Sequence, residues 1–294
     1  MIVMTELKGK IDFTAFIAAT NANPNGDPLN GNRPRTDLDG YGEMSDVCIK
    51  RKIRNRLQDM GQKVFVQSDD RSDDGCKSLK DRAKKCEKLD NELKKSKPDK
   101  DTFTKIACGE WIDVRSFGQV FAFKGGKKNA NNEKSNGISV GIRGPVSIWQ
   151  AKSLSPVEIS SMQITKSVNG DETDGKGSDT MGIKHMVDFA VYKIVGSVNV
   201  QLAEKTGFSQ EDADLLKKAL ETLFENDASS SRPEGSMEVR KLYWWQHEEK
   251  TPAVSSAKIQ RGFKINTVDN PKSFEEYDID WYVDGCVEPE IEEF

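Results

Sequence analysis

Residues 21–57 read NANPNGDPLNGNRPRTDLDGYGEMSDVCIKRKIRNRL, a polar loop that runs directly into a strongly basic helix. From Asn21 to Pro34 there are five Asn, three Pro and two Gly. Gly and Asn admit left-handed backbone, Pro fixes φ, and clustered backbone amides in such a turn can converge on an anion. The loop is expected to be shaped rather than floppy. The stretch before it, Lys10 to Ala19, is rich in β-formers and predicts a first strand. Ser45 as N-cap and Gly61 just past the end predict a helix over residues 46–60. Its wheel puts Ile49, Ile53, Leu57 and Met60 on one face, to be buried, which leaves Lys50, Arg51 and Arg54 on the flank and far side. A basic helix taken alone is most simply a solvated face. Arg33 and Arg35 in the preceding loop add cations to the same end, and together with Asn25 and Ser45 they make this unit a candidate phosphate-binding surface.

The charge distribution agrees with that reading, although the total of −4 does not. Residues 267–294 carry a net charge of −9, which leaves +5 on residues 1–266, and residues 115–152 alone carry +6. Binding to a polyanion depends on local cation density, because charges beyond a Debye length of about 8 Å are largely screened. The acidic C-terminal segment reads most simply as a solubilising tail. Five scattered Cys without a CxxC pair, and only two His, argue against a disulfide framework or a structural zinc. No cofactor or metal is expected. The chain lacks both a run of about 20 apolar residues and a signal-peptide core, so it is expected to be soluble and cytoplasmic, with no membrane partner.

Strands are predicted over residues 10–19, 111–123, 138–150, 187–201 and 237–247, with a second helix from Ser209 to about Phe224 capped by Ser209 and Asp212. The alternation of residues 187–195 suggests a sheet with one wet face. The order is compatible with an α+β fold built on a βαββαβ, ferredoxin-like core. Residues 62–110 form an insertion, with eleven Lys or Arg and six Asp or Glu from Lys77 to Lys105, and read as a helical outgrowth with little core. Leu79, Ala83, Cys86, Leu89 and Leu93 give it one narrow apolar stripe. Residues 161–185 form a second insertion whose Asn-Gly, Asp-Gly and Lys-Gly pairs predict a long hairpin. Phe117, Phe121, Phe123, Tyr243, Trp244 and Trp245 are expected in the core or at subunit contacts, since no base-stacking signature of the RNA-recognition type is present.

The run NPNGD, then PRTD, then SDVCIKRKIR, followed by SFGQVFA, IRGPVSIWQAKSLSPV and SDTMGIKHMVDFAVYKIVGSVN, resembles the backbone subunit of type I-C CRISPR interference complexes, the Csd-type branch of the Cas seven family within the RAMP superfamily. The resemblance runs from about residue 8 to about residue 265. It implies a hand-like organisation with an RRM-like palm of residues 1–61, 111–160 and 186–294, a finger of residues 62–110 and a thumb hairpin of residues 161–185. It also implies crRNA, target DNA, further copies of the chain in a head-to-tail helical filament, the crRNA-processing, large and small Cascade subunits, and a recruited nuclease-helicase as partners. Gln119 and Arg143, in two of these motifs, join the candidate RNA contacts. On the thumb, Met181 or Ile183 is the implied nucleotide wedge, with Lys166, Lys184 and His185 on phosphates. The ordinary alternatives are packing for Met181 and a hydrogen-bonded surface residue for His185.

The implied role is non-catalytic RNA binding. The alternative is an RNA-guided endoribonuclease of the type III kind that uses a loop aspartate, for which Asp27, Asp37, Asp39 and Asp46 are the candidates. No P-loop, nucleophile or clustered His/Asp pattern adds to it. A self-assembling shell subunit without nucleic acid is a third class, and the cationic loop and helix argue against it.

Overall fold

The computed structural model describes residues 5–95, 98–123, 138–165 and 181–294. The chain opens with β1 (Ile11–Ala22), the small β2–β3 hairpin (Gly26–Asp27 and Arg33–Pro34), β4 (Tyr41–Met44) and α1 (Asp46–Asp59). The first insertion supplies α2 (Leu79–Lys85), α3 (Glu87–Leu93), α4 (Lys100–Glu110) and α5 (Ile112–Phe117). Then come β5 (Gly118–Phe123), β6 (Ile138–Arg143), β7 (Val146–Ile148), β8 (Ala151–Pro156), β9 (Ile159–Thr165) and β10 (Met181–Val198). The chain continues with α6 (Val200–Thr206), α7 (Gln210–Glu221), β11 (Met237–Gln246), α8 (Ser256–Arg261), β12 (Phe263–Ile265), β13 (Ile279–Trp281) and β14 (Glu290–Glu293).

The main sheet is antiparallel, in the order β14-β11-β1-β10-β8-β4, with β7 and β9 also paired to β10. Strand β1 sits at its centre, with Ile17 opposite Tyr192 of β10 and Val239 of β11. Helices α1 and α7 cover one face, where Ile49, Ile53, Leu57, Leu216 and Leu220 pack on Phe13, Ile17, Tyr192 and Ile194. Both caps fall as expected: Ser45 Oγ accepts from the Cys48 amide, and Ser209 and Asp212 form a reciprocal capping box. Gly61 follows α1 with φ +78°, the left-handed turn that a glycine admits without strain.

The sheet departs from the expectation of one wet face. Phe16, Phe189, Val191, Tyr243 and Trp245 point the other way and are buried under α8 and the β12–β13 ribbon, against Ile259, Tyr277 and Ile279. Strands covered on both sides carry apolar residues in both registers, here Phe189 and Val191 on this face and Ala190, Tyr192 and Ile194 on the other. The acidic C-terminal segment is likewise not a free tail. Strand β14 pairs with β11, and Lys217 and Lys241 hold Glu290, Glu292 and Glu293, so the acids clothe a sheet edge.

The first insertion has its own core, contrary to the outgrowth expected. Phe65, Phe103, Trp111 and Phe121 form a buried aromatic cluster with Val114, Val140 and Ile142, and the cluster takes in the β5–β6 pair. The single helix implied by the Leu79-to-Leu93 stripe breaks at Cys86, which leaves the helical region with φ −75° and ψ 101°. Residues 112–117 fold as α5 instead of as the start of a strand, and residues 138–150 divide into β6 and β7. None of the described helices is long and apolar enough to cross a membrane.

Candidate nucleic-acid interface

The loop after β1 is braced from both ends. Asn23 Nδ2 donates to the Asn32 carbonyl at 2.7 Å, and a Cβ on Gly26 would meet Asn32 Oδ1 at 2.1 Å, so the glycine lets the Asn32 side chain lie against the β2 backbone. Asn32 itself takes φ +59° and Gly31 φ +57°. Asn25 Oδ1 accepts from both the amide and the hydroxyl of Ser45, at 2.9 and 3.0 Å, which couples the loop to the first turn of α1. Asn25 and Ser45 thus shape the surface, and their side chains are engaged with each other.

The cations sort into two groups. Arg33 is half-buried beside the second insertion, Arg35, also half-buried, reaches Asp27 at 3.1 Å, and Lys50 forms a partly exposed i,i+4 pair with Asp46 at 3.0 Å. Partly exposed pairs of this kind are weak and easily exchanged for a phosphate. Arg51 lies lower, its Nη1 on the Val66 carbonyl at 2.6 Å, and burial followed by the neighbouring Arg54 charge depresses its pKa. Arg54 is engaged within the protein. Its Nε donates to Asp113 Oδ2 at 3.0 Å, its guanidinium lies 4.9 Å from the Phe117 ring, and Asp113 is only 1% exposed. Because Asp113 also accepts from the Phe65 and Val66 amides, Arg54 is occupied in tying α1 to the first insertion. Two cations that the wheel left unassigned are spent similarly: Lys52 is buried against Asp227, and Arg56 bonds Thr222 and Glu225.

The second insertion contributes the hairpin of β9 and the first part of β10, in the register Met181↔Thr165, Ile183↔Gln163 and His185↔Ser161. Directly opposed residues share a face, so Met181, Ile183 and His185 lie together while Lys184 and Met162 occupy the other face. Met181 and Ile183 are 65% and 62% exposed, an unusual surface for two large aliphatic side chains. Ser161 joins the hairpin to the loop: its hydroxyl accepts from Arg33 Nη1 at 3.3 Å and lies 2.8 Å from His185 Nδ1. The structure therefore brings Arg33 and His185 together through a serine that the sequence did not single out. It separates Lys184 from His185, which the sequence had grouped. Lys166 lies outside the described residues. Gln119 and Arg143 sit on the β5–β6 pair, where Gln119 Nε2 donates to the Val120 carbonyl, and among the described residues neither bonds to the loop.

Three of the four aspartates proposed for cleavage have engaged carboxylates, while Asp39 is exposed and joins the turn through its backbone amide. Asp37 accepts from the Asp39 and Tyr41 amides and pairs with Lys152 at 2.5 Å, contacts led by that lysine that hold its carboxyl below the usual range. Asp27 caps the turn at Leu29 and binds Arg35, and Asp46 binds Lys50. Among the described residues, no group of three or more His, Cys, Asp or Glu is placed to hold a metal ion.

The described residues thus place a braced loop with Arg33 and Arg35, the basic helix α1 and the β9–β10 pair on a mixed α+β scaffold. The family comparison is specific: the chain belongs to the CRISPR-associated protein Cas7 family, whose model matches residues 9–282. It is 29% identical over 220 residues to the CRISPR-associated protein Cas7 of Haloferax volcanii, a match that covers 72% of this chain and 63% of that one. The aligned part thus spans less than two thirds of that relative. Among solved structures the chain is similar to a subunit of a CRISPR RNA-guided surveillance complex in a pre-nicking state, with a TM-score of 0.45, 15% identity and coverage of 80% of this chain and 77% of that one. A second CRISPR RNA-guided surveillance complex gives a TM-score of 0.42 and 14% identity, covering 80% and 68% of the two chains.

Proposed function

We propose that this chain is the crRNA-binding backbone subunit of a CRISPR interference complex of the type I-C kind. Membership of the Cas7 family carries the reading, and the Arg33–Ser161–His185 link supports it locally, because it sets the cationic loop and the hairpin side by side. The strand order β11-β1-β10-β8, with α1 following β1 and α7 preceding β11, favours a ferredoxin-like, RRM-like palm. On this reading residues 62–110 are the finger and residues 161–185 the thumb.

Several copies pack head to tail along the spacer, a heterologous contact that extends instead of closing. The loop and α1 hold sugar-phosphate, while Met181 or Ile183 enters between bases and leaves the rest exposed for pairing. Sequence is then read by pairing of guide with target DNA, and the protein recognises backbone geometry. The subunit is non-catalytic and cytoplasmic. Strand cleavage belongs to a recruited nuclease-helicase, and the crRNA-processing, large and small subunits complete the complex. The engagement of Asp27 and Asp37 in turns favours this over the endoribonuclease alternative.

Purification from cells carrying a CRISPR array tests it: the expected product is protein with a raised 260/280 ratio and bound RNA of spacer sequence. Protein free of RNA that also ignores added crRNA would overturn the reading.

A further inference from the structure

On the face of the main sheet opposite α1 and α7, a groove of about 630 Å³ opens between β8, β10 and α8. Trp149, 53% exposed, and Tyr41 are its aromatic walls, while Lys152, Lys193 and Arg261 line it without an Asp or Glu among the lining residues. Two features are costly for a protein surface with no ligand. Lys152 and Lys193 are directly opposite each other across β8 and β10, a like-charge cross-strand pair that opposes folding. Asp37 offsets Lys152 alone, whereas Lys193 is half-buried 4.1 Å from the Phe263 ring with no acidic partner among the described residues. Beside them Gln260 accepts from Thr14 through Oε1, and its buried Nε2 has no hydrogen-bond partner. Exposed indole, converging cations and a spare amide donor suit one ligand chemistry, a flat base joined to a phosphate.

We infer that this groove binds one nucleotide of a single-stranded nucleic acid, with the base stacked on Trp149 and the phosphate between Lys152, Lys193 and Arg261. The class of ligand rests on the nucleic-acid reading above, but apart from Tyr41 the groove residues are separate from the loop and α1. The volume falls within the range of small-ligand pockets, roughly 300–1,000 Å³. Guide RNA and single-stranded target DNA share this chemistry and are separated by the sugar of the probe.

The test uses the full chain and two photoreactive hexanucleotides, one of ribouridine and one of deoxythymidine positions, each with a central 5-iodouracil. The expected result is crosslinking to Trp149 or Tyr41, and an approximately tenfold rise in Kd in Trp149→Ala, as for loss of one base stack. Lys193→Met should weaken binding too, and Arg33→Ala should leave the groove crosslink in place. Crosslinking by the ribo-probe alone assigns the groove to guide RNA, and by both probes extends it to DNA. Crosslinks confined to other regions, with an unchanged Kd in Trp149→Ala, would overturn the inference. So would a Trp149→Ala protein that loses self-association but binds both probes normally, since the groove then takes a protein side chain. Absence of cellular RNA from the purified protein would count against the backbone reading only, because the probes are added.

Discussion

Asn25 Oδ1 accepts two hydrogen bonds from Ser45, from its amide at 2.9 Å and its hydroxyl at 3.0 Å, so one side chain fixes the angle between the Gly/Pro loop and α1. Asn25→Ala leaves the Ser45 amide short of a partner and should lower stability by about 1–2 kcal/mol, near 2–4 °C in Tm for a chain of this size. RNA retention should fall together with loop order. Calorimetry and filter binding check both, and a variant with wild-type Tm and affinity would show that Asn25 braces nothing.

Lys50→Ala with Arg51→Ala should weaken RNA binding uniformly across guide sequences. The slope of log K against log salt should drop by about 0.7 per lost contact with single-stranded RNA. Arg54→Ala should behave differently and cost about 3 kcal/mol, the low end for breaking a buried pair, because the Phe65 and Val66 amides still serve Asp113. Denaturation and salt titration of the two variants separate binding cations from a structural one. Equal slopes for wild type and the double variant would remove α1 from the interface.

Wild-type protein should show no metal-dependent cutting of complementary RNA. Asp37→Asn should chiefly loosen the turn at Tyr41 by weakening its contact with Lys152. Regularly spaced RNA products that vanish in Asp27→Asn or Asp37→Asn would establish the endoribonuclease alternative.

Met181→Ser with Ile183→Ser should fold normally, since both side chains are largely exposed. On crRNA the variant should lose the periodic reactivity of displaced nucleotides seen by chemical probing. Retention of that pattern would move the wedge elsewhere, with Met162 and Ile164 on the opposite face as the next choice.

Burial pushes the Lys193 pKa down to about 8 from 10.5. The folded state binds fewer protons than the unfolded state between those values, so this residue opposes folding below pH 8, and the penalty fades as pH rises toward 10.5. Lys193→Met should therefore stabilise the protein at pH 7 and flatten the rise in Tm across that alkaline window. Thermal melts from pH 7 to 10 check it, and identical pH profiles for the two proteins would show that the amine is not desolvated.

Local chemistry was legible in the sequence wherever the chain itself supplies the partner. The Ser45 and Ser209 caps, the Gly61 turn, the apolar face of Ile49, Ile53 and Leu57, and the shaped Asn/Gly/Pro loop each depend on residues a few positions apart. Long motifs in one order carried the family resemblance. What depends on distant residues was settled only in three dimensions. Arg54 reads as one more exposed cation until Asp113, 59 residues away, arrives beside it. Lys184 and His185 are neighbours in sequence and go to opposite faces because a strand alternates. The second buried face of the sheet and the core around Phe65, Phe103 and Phe121 arise from pairing across gaps too long for periodicity to report. An acidic C-terminus is a tail by composition, and it becomes an edge strand only because β11 offers hydrogen bonds and Lys217 and Lys241 offer charge.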